Sequence, residues 1–284
     1  MAVPELPEVE TVRRGIEERV VGRKITHVHV GRERSVRRVG RETVIHGLTD
    51  VTILNARRRG KYLLFDLDSG DEMMIHLRMS GRVLVEPAGT PRPLHTHVVM
   101  QLSERNGVID EMWFVDPRTF GEVVVFDPTR AAEVMPELSK LGVDPICDEF
   151  NADIVAKLLR GRRGSLKSLL LNQHVVAGIG NIYADEILHR AGLRWNRTGE
   201  SLSKKKISEL TTCITEILTE AIALGGSTLD DTQYVDIAGH EGAFQERHRV
   251  YAREGEGCLT CGKASIRRVV VAGRSTCFCP RCQR

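Results

Sequence analysis

The sequence predicts an α+β protein of several domains: an N-terminal helix with a β-sandwich, then a helical domain, then a C-terminal zinc β-hairpin. Three observations predict it. Between residues 24 and 126, short β-rich apolar runs are punctuated by Gly, Asp and Pro, the pattern of a sandwich or barrel. From residue 151 the apolar spacing lengthens to the helical period. Five of the seven cysteines lie within the last 27 residues, too clustered and too odd in number for a disulfide framework.

Size and composition set the bounds. A chain of 284 residues and 31.7 kDa has room for more than one core. With 41% hydrophobic and 28% charged residues and no low-complexity tract, it reads as globular rather than disordered or fibrous. No apolar run approaches the roughly eighteen residues of a membrane span. The acidic, proline-rich start lacks the basic and apolar regions of a secretion signal, so a cytoplasmic protein that makes no membrane contact is expected. The formal net charge is only +3, yet residues 251–284 hold seven Lys/Arg against two Asp/Glu. A basic tail on a near-neutral body points to a local anionic partner.

In chain order, Pro7 suits a first helical turn and Glu8 and Glu10 complement its dipole, so a helix is expected within residues 4–19. Strands are expected from the runs at 25–30, 51–54, 62–67, 74–77, 83–85, 98–102 and 123–126. The stretch 134–150 breaks the pattern and reads as a linker. Asn151 can cap a helix that carries Ile154, Val155, Leu158 and Leu159 on one face and stops at Gly161. Ser203 can cap another, with Ile207, Leu210, Ile214, Ile217, Leu218 and Ala221, that stops at Gly225. Shorter helices are expected at 165–172 and 181–191. The expected domains are therefore 4–133 for the sandwich, 151–248 for the helical part and 249–284 for the zinc hairpin.

The tail reads Cys258-Leu-Thr-Cys261, seventeen residues, then Cys279-Pro-Arg-Cys282. Two such turns can close a tetrahedral thiolate shell around one Zn²⁺ and leave no position for water, which makes the site structural. Cys277, two residues before Cys279, faces the other side of an extended strand; only Cys279 completes the second CxxC. Between the pairs lie a strand, a turn at Gly273 and a second strand, with Arg274 at the tip.

Four other segments stand out. Gly178 and Gly180 precede a helix starting at Asn181, where backbone N–H groups can seat a phosphate, although a plain structural turn accounts for them equally. Arg57 to Lys61, an Arg-Arg-Arg-Gly-Lys run before a strand, reads alone as a solvated edge. Met79, in His76-Leu-Arg-Met-Ser-Gly, and Phe120, in Asp116-Pro-Arg-Thr-Phe-Gly, put an apolar tip beside a cation; taken singly, both read as core residues.

Together these blocks resemble the formamidopyrimidine-DNA glycosylases of the Fpg/Nei group, almost end to end. The resemblance rests on Pro4-Glu-Leu-Pro-Glu-Val-Glu-Thr, Arg59-Gly-Lys-Tyr, the His76 and Asp116 blocks, Gly178-Ile-Gly-Asn-Ile-Tyr-Ala-Asp-Glu and the ribbon ending Cys-Pro-Arg-Cys-Gln. Leu6 and the Arg118/Phe120 pair are similar to the oxidised-purine branch; endonuclease VIII enzymes typically carry glycine where Leu6 stands. The resemblance implies a helix-two-turn-helix domain, with a mobile base-capping loop over 225–244. It implies an enzyme of base-excision repair that removes 8-oxoguanine and formamidopyrimidines from duplex DNA, then cleaves the strand by β,δ-elimination.

It also implies roles. Pro4 would be the nucleophile, its secondary amine forming a Schiff base with the sugar. Glu5 would protonate the ring oxygen, Lys61 would serve as acid and base in the lyase steps, and Arg274 would reach the lesion phosphate. Met79, Arg118 and Phe120 would fill the space left by the flipped nucleotide, and His95, Arg163, Asn181, Gly178 and Gly180 would grip phosphates. One structural Zn²⁺, a monomer and a bacterial-type, nucleoid-associated location complete the expectation. The chain departs from the family in two places. Met1-Ala2-Val3 precede Pro4, and an amide nitrogen is not nucleophilic, so the chemistry requires a chain that begins at Pro4, as when translation starts at Val3 and the initiator is removed. The ribbon is one residue longer than the family spacing, which a bulge can absorb. The alternatives are an endonuclease VIII-like enzyme for oxidised pyrimidines, or a non-catalytic binder of lesion DNA in which Pro4 stays internal.

Overall fold

Helix α1 (Leu6–Arg19) begins where two glutamates cap each other. The Glu5 carboxylate accepts the Glu8 N–H, and the Glu8 carboxylate accepts the Glu5 N–H at 2.8 Å, a reciprocal capping box. One face of the helix buries Val9, Val12 and Ile16 completely. The computed structural model describes residues 3–229 and 234–284, and they divide into two compact units, Met1–Lys140 with Gly225–Gly242 and Leu141–Leu224 with Ala243–Arg284.

In the first unit an eight-stranded antiparallel sheet runs through β1 (Lys24–Val30), β2 (Val51–Arg59), β3 (Tyr62–Leu67), β4 (Glu72–His76), β5 (Arg82–Pro87), β6 (Thr96–Leu102), β7 (Asp110–Val115) and β8 (Glu122–Phe126). The spatial order is β5-β7-β6-β1-β2-β3-β4-β8. Strands β1 and β2 pair only at Lys24↔Thr52 and Ile25↔Val51. At that narrow seam the sheet folds into the two layers of the expected sandwich. The period of two along each strand sends Val83, Val85, Met112 and Phe114 from one layer, and Leu63, Phe65, Met73 and Ile75 from the other, into a shared core. Residues of opposite parity, Leu84, Val99, Trp113 and Val115, form a smaller cluster on the other face.

Strand β7 and helix α2 (Arg41–Leu48) were not among the expected elements of this unit. Strand β7 opens with two acids, but Asp110 pairs with Arg23 at 2.5 Å and Glu111 with Arg92 at 2.8 Å and with the Trp113 indole N–H at 2.7 Å, so both sit inside the sheet. Helix α2 buries only Val44 and Leu48, too few to show a period. Short helices α3 (Ala131–Val134) and α4 (Pro136–Ser139) end the unit's first segment, so the expected linker is partly helical at its start. Residues 225–242, read from the sequence as part of the helical domain, cluster with this first unit.

The second unit holds α5 (Ala152–Leu159), α6 (Leu166–Leu171), α7 (Asn181–Arg190), α8 (Lys204–Ala223) and a hairpin of β9 (Arg267–Val271) and β10 (Arg274–Phe278). The Asn151, Ser165 and Ser203 side chains accept the amides of Ile154, Ser168 and Lys206 and start α5, α6 and α8. Val271 pairs with Arg274 across a two-residue turn in which Ala272 and Gly273 have φ of 48° and 76°, the conformation that matches hairpin twist. Among the described residues, no helix is long and apolar enough to cross a membrane.

Candidate active site and nucleic-acid interface

In the first unit, Pro4 is buried immediately before α1, and Glu5 is 1% exposed at its N-cap. Lys61 is half-buried in the two-residue turn between β2 and β3, where Arg59 pairs with Tyr62 and Gly60 has φ of 58°. A chain of hydrogen bonds ties the two places together. Arg58 donates through Nε to Glu10 of α1 at 3.1 Å and through Nη1 to the Gly60 carbonyl at 2.9 Å. Burial would raise the Glu10 carboxyl, but Arg13, Arg58 and Arg14 bring it below the usual range. Within the Arg57–Arg59 run, Arg57 is exposed and paired with Asp66, while Arg58 is buried and orients the Lys61 turn, so the run is only in part a solvated edge. Glu8 was read from the sequence as a dipole charge. Its position three residues after Glu5 is the capping-box signal, and its carboxylate also accepts the Ser227 N–H at 2.7 Å.

Met79, His95, Arg118 and Phe120 lie on three loops of the same unit, and one buried aspartate joins them. The Asp116 Oδ1 accepts the Ser80 hydroxyl at 2.5 Å and the Arg118 N–H at 3.2 Å, and Oδ2 accepts the Gly121 N–H at 2.7 Å. Its backbone N–H donates to the His95 carbonyl at 3.0 Å, and its carbonyl is 2.8 Å from His97 Nε2. Met79 is half-buried, while Phe120 is 39% exposed with the Arg118 guanidinium 5.1 Å over its ring. An exposed aromatic stacked under a cation is a loop tip and not a core residue. His95 is exposed, with φ of 68°.

The Met79 loop is fixed from below. His76 Nδ1 accepts the Arg78 N–H at 2.9 Å, and burial pushes the His76 imidazole down to about 3, so it stays neutral and keeps that lone pair. The Arg78 guanidinium donates to buried Glu122 at 2.9 Å. Burial would raise the Glu122 carboxyl, but hydrogen bonds from Arg38 and Arg78 and the charge of Arg37 overcome it and hold it at about 2. Asp116 and Glu122 were not singled out as site residues from the sequence; the signal was an acid embedded in each loop-strand junction of an otherwise apolar sheet.

In the second unit, Asn181 is the first residue of α7 and Gly180 its N-cap. The Asn181 amide donates to the Ser275 hydroxyl at 3.3 Å, beside Arg274, while its buried Oδ1 has no partner among the described residues. Gly178 has φ of 93°, and its N–H donates to Gln173 Oε1 at 2.8 Å. What Gly178 supplies is the turn, since that amide is already used. Arg163 is exposed in the loop before α6. Arg274 is exposed at the start of β10, beside a cavity of about 150 Å³ lined by Lys167, Leu171, Asn172 and Val271.

The two acids that end the Gly178–Glu186 block hold the C-terminal segment. Asp185 accepts Lys167 Nζ at 2.7 Å and the Cys277 N–H at 2.8 Å, and Lys167 also donates to the Ser275 carbonyl at 2.7 Å. Burial pushes the Asp185 carboxyl up, against the pull of Lys167. Glu186 accepts the backbone amides of Arg249, Val250 and Tyr251 at 2.8 to 2.9 Å. The hairpin carrying Arg274 is thus clamped to α7 through backbone groups that no side-chain pattern reveals.

The four cysteines Cys258, Cys261, Cys279 and Cys282 place their sulfurs within 4.8 Å of one another. A tetrahedral shell with Zn–S of about 2.3 Å separates its sulfurs by about 3.8 Å, and both Cys258–Cys282 and Cys261–Cys279 stand at 3.8 Å. The donor set fits one zinc ion. Cys277 is outside it: buried, with its amide on Asp185.

Family models match the chain in order. The formamidopyrimidine-DNA glycosylase N-terminal domain covers residues 3–123, the formamidopyrimidine-DNA glycosylase H2TH domain 141–233, and the zinc finger found in FPG and IleRS 255–284. Among curated relatives, a formamidopyrimidine-DNA glycosylase of Cereibacter sphaeroides is 43% identical, covering 99% of this chain and 100% of that protein. One of Pelotomaculum thermopropionicum is 40% identical over 99% of both. Among solved structures, the Lactococcus lactis Fpg bound to DNA with an abasic site superposes with a TM-score of 0.87 at 36% identity, over 99% of each chain. The same protein in complex with DNA containing an oxidised pyrimidine also gives 0.87 at 36% identity, over 99% of this chain and 100% of that one. With three domain models in sequence and relatives of this identity over the full length, the chain belongs to the formamidopyrimidine-DNA glycosylase family.

Proposed function

We propose that the protein is a bifunctional DNA glycosylase and abasic-site lyase that excises oxidised purines from duplex DNA. The observation that carries the reading is the capping box, which buries the Glu5 carboxylate next to Pro4 and leaves it fixed by a backbone amide. The capping box starts α1, and the same contacts hold the Glu5 carboxylate beside Pro4, where it can serve as an acid for a reaction at the sugar C1′. The nucleotide is first flipped out at a cost of roughly a few kcal/mol, and Met79, Arg118 and Phe120 occupy the gap. The free secondary amine of Pro4, once it is N-terminal, attacks C1′. The bond from C1′ to the base breaks, and the base leaves as the neutral species after taking up a proton.

Glu5 protonates the sugar ring oxygen as the ring opens, leaving an iminium between Pro4 and the open sugar. Loss of the C2′ proton then expels the 3′ phosphate, a second elimination expels the 5′ phosphate, and Lys61 moves protons in these steps. Arg163 and Arg274 bring positive charge to the phosphates around the lesion, and His95 and Asn181 hydrogen-bond to them. Cys258, Cys261, Cys279 and Cys282 would hold a zinc ion with a full set of four thiolates, a structural role that would secure the hairpin carrying Arg274 and leave the bond changes to the side chains.

Borohydride trapping tests this. A protein whose intact mass corresponds to a chain beginning at Pro4 is expected to form a covalent adduct with 8-oxoguanine duplex, mapped to Pro4. No adduct, with lesion binding retained, overturns the reading in favour of a non-catalytic binder. A second reading, action on oxidised pyrimidines, is favoured by the oxidised-pyrimidine DNA held by the Lactococcus lactis relative. Excision rates on 8-oxoguanine and thymine glycol duplexes decide between them.

A further inference from the structure

The loop from Asp116 to Gly121 belongs to no strand, so its backbone groups need partners from elsewhere. Its amides face Asp116: Arg118 N–H at 3.2 Å and Gly121 N–H at 2.7 Å on the carboxylate, Thr119 N–H at 3.2 Å on the backbone carbonyl. Its carbonyls face the other way, and three in succession accept from arginine. Arg34 Nε reaches the Thr119 carbonyl at 3.1 Å, Arg37 Nη2 the Phe120 carbonyl at 3.3 Å and Arg37 Nη1 the Gly121 carbonyl at 3.2 Å. The two arginines stand three residues apart across the 3₁₀ turn Glu33–Val36, the spacing at which side chains share a face. Arg37 is set in turn by the Arg34 carbonyl at 3.0 Å and by Glu122 at 3.2 Å.

Thr119, between the two residues at the loop tip, has φ of 55°. A β-branched residue rarely holds that conformation unless its surroundings over-determine it. Here they do, because its amide and its carbonyl are both engaged.

We infer that Arg34 and Arg37 are positioning residues for the loop that enters the duplex, gripping its three carbonyls so that Arg118 and Phe120 are aimed before DNA arrives. The inference rests on the proposed function, in which Phe120 and Arg118 replace the flipped nucleotide. A guanidinium that holds backbone acts through preorganisation and not through charge on the phosphates, and a small misplacement of such a group costs about tenfold or more in rate.

The test compares the R34M/R37M double variant, Arg37→Lys and Phe120→Ala. Four quantities are read: excision from 8-oxoguanine duplex, cleavage of a single strand with a preformed abasic site, fluorescence of 2-aminopurine opposite the lesion, and the salt dependence of duplex binding. R34M/R37M is expected to lose about tenfold in duplex excision and to lose the 2-aminopurine rise, as Phe120→Ala does. Single-strand cleavage and the salt slope stay at the parent values. Arg37→Lys keeps the charge but cannot fork two carbonyls, and is expected to show a smaller loss of the same kind with an unchanged melting temperature, which separates positioning from unfolding. A salt slope reduced by about one unit per arginine with the fluorescence rise retained overturns the inference, since the arginines then contact phosphate. Unchanged duplex excision in both arginine variants also overturns it. If Phe120→Ala itself leaves duplex excision and fluorescence unchanged, it is the insertion reading that fails.

Discussion

Single residues explain why the family blocks have the composition they have. A Cβ on Gly121 would stand 2.6 Å from the Phe114 ring and 2.9 Å from the His76 carbonyl, while one on Gly257 would meet nothing within 4 Å. Gly121→Ala is therefore expected to lose about 1–3 kcal/mol by overpacking, and Gly257→Ala to stay within about 0.5 kcal/mol of the parent. Urea unfolding followed by tryptophan fluorescence, from Trp113 and Trp195, reads both, and equal stabilities would refute the packing account. At this scale the sequence disclosed which residues matter more readily than what they touch. The metal set was legible because CxxC spacing is chemistry in itself. Glu10, Arg58, Asp116 and Glu122 were not, because a charged residue in a motif looks alike whether it meets DNA or holds a loop; here these four are buried and paired within the protein.

Elements came out of the sequence where periodicity or a cap was strong. Helices α5 and α8 start at the caps expected of Asn151 and Ser203, whereas β7, with buried acids at its head, and α2, with two buried residues, leave no clear pattern. The junction of β4 and β8 with their loops makes stability depend on pH. Glu122 ionises at about 2 instead of 4.5, so the stability it contributes is complete above 4.5 and is lost as pH falls toward 2. His76 titrates at about 3 instead of 6.5, so its contribution is complete above 6.5 and fades as pH falls toward 3. These two groups together should make stability fall from pH 6.5 downward, against the opposite slope of Asp185, whose carboxyl is raised. Glu122→Gln should flatten the lower part of that decline and cost about 3 kcal/mol at neutral pH, by leaving buried arginine contacts without their counter-charge. Urea midpoints over a pH series measure both effects; a parallel shift of the whole profile would refute the assignment to Glu122. The zinc hairpin gives a second test of the same scale. Cys277→Ser should bind one zinc per chain and Cys279→Ser should not, as read by metal analysis of the purified proteins.

At the scale of the whole molecule, the chain leaves its second unit after α8 and contributes residues 225–242 to the first. Periodicity could not disclose this, because a glycine-rich, mixed segment carries no face. Specific contacts hold its described part in place. The Glu8 carboxylate accepts the Ser227 N–H at 2.7 Å, the Tyr234 hydroxyl donates to the Glu8 carbonyl at 3.2 Å, and the Ile237 carbonyl accepts the Val85 N–H at 2.9 Å. Ile237 also lies against Gly15, where a Cβ would come within 2.7 Å. Residues 230–233, in the middle of the loop read as base-capping, lie outside the described residues. One carboxylate thus serves two tasks: it caps α1 beside Pro4 and Glu5, and it holds the returning segment. Removing it should free the segment at Ser227 without loosening α8, whose own amides are bonded within the helix. Glu8→Ala is expected to speed hydrogen exchange at Ser227 by about tenfold or more, with exchange in Lys204–Ala223 unchanged, because a local opening breaks only the bonds of the segment that opens. Equal acceleration in α8 would mean that the variant had lowered global stability instead, and that the segment owes its place to the fold at large and not to Glu8.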